Sequence, residues 1–73
     1  MFDYELITND IMGPESWWDG CDYWCAYYDM LAAVEKYYES GAINTAAIEK
    51  VCDTYAIDFT HCLFIIARKN LGA

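Results

Sequence analysis

Nineteen consecutive residues, 21–39, contain neither glycine nor proline, and Gly20 and Ser40-Gly41 bracket them. An uninterrupted stretch of this length favours one long helix, because the two strongest helix breakers stand only at its ends. Ser16 reads as the N-cap, with Asp19 reaching back as in a short capping box. Gly41 is suited to the left-handed cap that closes the helix. The spacing therefore predicts a helix over 16–39.

Wound at 100° per residue, Asp19, Asp22, Ala26, Asp29, Ala33 and Lys36 form one narrow stripe. The remaining arc, rich in Trp, Tyr and Cys, is about 220° wide, twice what a surface helix needs. Such a helix must be covered on more than one side. Two shorter helices follow. Asn44 caps one over 45–56, with Ile43 stapled to Ile48 and Ala47, Ile48, Val51, Cys52 and Tyr55 inward. Asp58 caps the other over 59–71, with Phe59, Cys62, Leu63, Ile66 and Ala67 inward; Arg68 and Lys69 suit its last turn and Gly72 ends it. Residues 1–15 are an arm ahead of the Gly13-Pro14 break. Its alternation of Phe2, Tyr4 and Leu6 with Asp3 and Glu5 fits a strand, but no second strand is at hand, so the arm is extended or a short helix. The expectation is all-α: a small three-helix bundle (16–73) with an N-terminal arm, one domain over 1–73.

Charge narrows function. The chain has 73 residues, 12 acidic against 4 basic, and a net charge of −8. Residues 1–35 hold eight carboxylates and no cation; residues 36–73 sum to zero. Nucleic acid and anionic membrane surfaces are disfavoured as direct partners, since both require clustered Lys and Arg. The apolar run 63–67 is too short to span a bilayer. No basic segment precedes an apolar stretch at the N-terminus, so cytoplasmic residence is the expectation, and with it reduced thiols at Cys21, Cys25, Cys52 and Cys62.

Groups suited to catalysis are sparse. His61 is the one histidine, it points about 100° away from Cys62 on a helix, and Ser16 and Ser40 both stand at helix ends. The cysteine spacings match no common zinc motif, and no calcium loop is present, so no metal or cofactor is expected. A zinc-stapled core remains an alternative. Size and charge resemble the acidic four-helix carrier proteins, but neither serine stands in the Asp-Ser-Leu context that carries their prosthetic arm. The last two helices lack the leading cations of a DNA-reading helix-turn-helix.

The sequence instead suggests binding. Asp19, Asp22 and Asp29 form a row of carboxylates that can occupy a phosphate-binding groove, extended by Asp10 and Glu15, with Trp18 and Tyr37 as exposed anchors at its edge. Trp24, Tyr28 and Leu31 are assigned to packing. In composition the chain resembles the phage and mobile-element proteins that block CRISPR or restriction systems, and the immunity proteins of nuclease toxins. That resemblance implies a non-enzymatic acidic inhibitor, a nucleic-acid mimic acting on a basic, nucleic-acid-handling protein, in the host cytoplasm if phage-encoded. The alternative is an assembly module that homodimerises through its aromatic-rich face.

Overall fold

The computed structural model describes residues 3–18, 22–41 and 43–72. They form four α-helices and one 3-10 turn, with no strand among them: α1 (Tyr4–Met12), the turn (Glu15–Trp17), α2 (Asp22–Glu39), α3 (Ala46–Tyr55) and α4 (Phe59–Gly72). The chain is all-α, and the arm is a helix.

Local chemistry accounts for α1. Asp3 is its N-cap, and its Oδ1 accepts from the Leu6 N–H at 3.1 Å. Ile7, Thr8, Ile11 and Met12 fall on one side and are buried. The buried Thr8 hydroxyl donates to the Tyr4 carbonyl at 2.7 Å, so its polarity costs little. Gly13 ends the helix at φ +73, returning its N–H to the Asn9 carbonyl.

The long helix starts later than expected. Ser16 lies inside the 3-10 turn rather than at an N-cap, Trp18 is extended, and α2 begins at Asp22. The proposed capping partner Asp19 lies outside the described residues. Trp18 is held by a nonlocal bond: its indole Nε1–H donates to the Met12 carbonyl at the end of α1, at 3.0 Å. That bond and the Tyr23 hydroxyl on the Gly13 carbonyl (3.4 Å) fasten α1 to the start of α2.

The remaining boundaries follow the predicted chemistry except at α3, whose N-cap is Thr45, without a side-chain cap bond, rather than Asn44. Gly41 stands at φ +82 after Glu39. Asn44 Oδ1 accepts from the Ala46 N–H at 3.0 Å, and Asp58 Oδ1 accepts from Thr60 at 2.9 Å. Ile43 is 85% exposed, so the staple to the fully buried Ile48 does not form. Ala67, expected inward, is exposed.

α2 is the central element, packed against α3 on one side and α1 on another, while α4 leans mainly on α1. The core is built around Met30, Val34, Ile48, Cys62 and Ile66, all almost or wholly inaccessible. No described helix is long and apolar enough to cross a membrane.

Candidate functional site

The residues of α2 that face the core are Tyr23, Ala26, Tyr27, Met30, Ala33 and Val34. This overturns the expected stripe. Ala26 and Ala33, placed among the acids, are 0% and 4% exposed. Small side chains let a neighbouring helix approach closely, so the alanine row forms a packing face rather than a solvated one. Asp22 and Asp29 remain exposed, but they stand at the edge of this packed face. Asp29 Oδ2 accepts from the Tyr55 hydroxyl of α3 at 2.7 Å. This bond favours the neutral phenol and pushes Tyr55 up to about 12 from its ordinary 10.0. Asp19 lies outside the described residues, so the row is placed only through Asp22 and Asp29.

The expected anchors are also reassigned. Trp18 and Tyr37 are half-buried and pack against the core. Trp18 meets the Tyr23 ring edge-on at 5.9 Å, and Tyr37 meets Tyr38 edge-on at 5.2 Å. Among the described residues the large aromatics that face solvent are Trp24 and Tyr28 of α2, assigned to packing by sequence, at 51% and 63% exposure, and Phe64 of α4; Leu31 is half-buried. The physical reason is capacity. The core face of α2 already carries Tyr23, Tyr27 and Met30, and a domain of this size encloses only about 60% of its unfolded surface.

Trp24 and Tyr28 are not isolated. Trp24 contacts the rings of Tyr23, Tyr27 and Tyr28 at 5.0, 5.5 and 6.2 Å. These contacts give the two exposed rings a rigid base, since Tyr23 and Tyr27 are buried. The Tyr27 hydroxyl is pushed above its ordinary range first by burial and then by the negative charge of Glu5. Asp3 adds to the same field. Glu5 of α1 and its cap Asp3 therefore lie near the Tyr27 side of the aromatic cluster. Glu15 is exposed in the 3-10 turn. Asp10 is exposed too, but it is paired with Lys69 of α4 at 2.6 Å, so its charge is already partnered.

The cysteines divide into two kinds. Cys25 is exposed on α2. Cys52 and Cys62 are buried and touch at 3.5 Å between their sulfur atoms. Burial pushes both thiols up. Among the described residues no three His, Cys, Asp or Glu side chains converge as metal ligands, and Cys21 lies outside them. His61 is exposed while its neighbour Cys62 is buried, so the two diverge as their spacing requires.

The fold and surface define a small all-α protein with an acidic, aromatic face. No family model, curated protein or solved structure matches the chain.

Proposed function

We propose that the chain is a non-enzymatic, acidic protein-binding inhibitor that covers a basic surface used for nucleic acid, in the manner of an anti-CRISPR or anti-restriction protein. The observation that carries this reading is the exposed pair Trp24 and Tyr28 seated on Tyr27, whose hydroxyl feels the charge of Glu5 and Asp3, neither of which forms an ion pair among the described residues. Trp and Tyr are the commonest binding anchors besides Arg, and their faces accept the Arg and Lys that otherwise hold phosphates. Asp3, Glu5, Asp22 and Glu15 supply the charge, and long-range attraction raises the rate of encounter. An interface of about 800 Å² per partner would occupy roughly one sixth of the 4871 Å² surface. The action is cytoplasmic, in the host cell if the chain is phage-encoded.

The test is a competition. A captured partner, purified, is assayed for duplex DNA or RNA binding with and without this chain. Mutual exclusion supports the reading, and joint occupancy of chain and nucleic acid overturns it. A second reading rests on the same exposed rings: two copies pair through α2. Light scattering on the isolated chain distinguishes them, since a stable dimer favours self-assembly.

A further inference from the structure

A shallow groove of about 300 Å³ runs between α2 and α3, open on one side. Its floor is methyl groups: Ala32 and Ala33 from α2, Ala47 and Val51 from α3. The short connection makes the two helices antiparallel, so the groove has two distinct ends. Lys36 and Lys50 stand toward one, from opposite walls; Asp29, Thr54 and Tyr55 form the other.

The ends differ in what they offer a ligand. Only four cations exist in the chain. Lys69 is paired with Asp10, and Arg68 lies over the Phe64 ring at 5.8 Å. Lys36 and Lys50 have no ion pair among the described residues, although acids outnumber bases threefold. Two unpaired ammonium groups thus line one apolar groove. At the opposite end both hydroxyl protons are spent. The Tyr55 hydroxyl donates to Asp29, and the Thr54 hydroxyl donates to the Lys50 carbonyl at 2.8 Å. That end can only accept.

We infer that this groove binds a small monocarboxylate with an apolar body and a hydrogen-bond donor at its far end. The carboxylate sits between Lys36 and Lys50, the body lies on the alanine floor, and the donor reaches the Asp29 carboxylate beside Tyr55. Asp29 and Lys36 are seven residues apart, about 10.5 Å along the helix, which suits a body the length of a phenylpropionate. One negative charge fits better than two, because Asp29 and the net charge of −8 oppose a dianion more strongly. The volume matches the low end of small-molecule sites. The groove floor begins one helical turn beyond Tyr28, at Ala32, and the assignment does not depend on the inhibitor reading.

The probe is p-hydroxyphenylpropionate, titrated into the full chain and followed by amide chemical shifts. The expected result is saturable shifts centred on Ala32, Ala33, Ala47 and Val51. Phenylpropionate, lacking the donor, and p-ethylphenol, lacking the carboxylate, should each bind more weakly. Replacing the two exposed lysines together (Lys36→Gln with Lys50→Gln) should weaken the parent probe by about tenfold without unfolding the chain. Tyr55→Phe frees Asp29 Oδ2 for the ligand donor, so it should retain or tighten binding. Shifts outside the groove, indifference to the lysine variants, or equal binding of inorganic phosphate would each overturn the assignment.

Discussion

The Tyr55 hydroxyl donates to Asp29 Oδ2 at 2.7 Å and so ties the C-terminal end of α3 to the middle of α2. The bond exists only while the phenol keeps its proton. A phenol that binds its proton more tightly when folded adds stability below its unfolded value of 10.0, and that contribution disappears as pH rises through about 12. Tyrosinate absorbance should therefore contain a component that titrates only at about 12. Asp29→Asn should return it toward the ordinary value. An unchanged titration curve in that variant would mean the bond is absent in solution.

Alkali should weaken the whole fold in the same sense. Cys52, Cys62, Tyr27 and Tyr38 are all pushed up, chiefly by burial. For each, the unfolded chain loses its proton first, beginning near 9.0 for the thiols and 10.0 for the phenols. Stability measured by urea unfolding should fall steadily above those values. A flat profile through that range would contradict the burial of these groups.

How much of this was legible in the sequence depends on whether the chemistry was local. Caps such as Gly41 and Asp58 were readable because each acts within three residues of itself. The Asp3 cap and the Ile7–Ile11 spacing were present in α1, but the alternation of Tyr4 and Leu6 with acids obscured them. The face of α2 was misread because aromatics were counted as core and alanines as neutral. Burial instead followed position around the helix: Ala26 and Ala33 share the core side with Tyr23, Tyr27 and Met30, while Trp24 and Tyr28 point away from it. The Trp18–Met12 bond crosses the Gly13-Pro14 break and the Lys36–Lys50 groove lies between two helices, so the spacing rules of a single helix announced neither.

The two isoleucines at the start of α3 should behave as opposites. Ile48 is fully buried and Ile43 is 85% exposed. Ile48→Val removes one buried methylene and should cost about 1 kcal/mol. Ile43→Ala should stay within about 0.5 kcal/mol of the parent. Urea midpoints decide it, and equal losses would show that Ile43 does staple the helix.

Thiol chemistry offers a direct measure of packing. The thiolate is the reacting form, so a buried thiol with a raised pKa reacts slowly on two counts. Iodoacetamide should modify the exposed Cys25 in the folded chain and spare Cys52 and Cys62, with peptide mass spectrometry locating the label. The buried pair should become reactive in step with global unfolding. Labelling of Cys62 at the rate of Cys25 would mean that α4 opens independently.

Salt separates the two binding readings by sign. A complex between the acidic face and a basic surface gains from attraction between exposed charges, which added salt screens. Its affinity should fall steeply between about 0.05 and 0.5 M salt. A homodimer brings together two chains of net charge −8 each, so screening should strengthen it. Trp24→Ala with Tyr28→Ala should weaken either complex and leave stability nearly unchanged, because both rings are more than half exposed. Asp3→Asn with Glu5→Gln should weaken the heterologous complex and relieve repulsion in the dimer. Binding to the basic partner that ignores both salt and the carboxylate variants would remove the charge from the mechanism and leave the aromatic pair as its sole anchor.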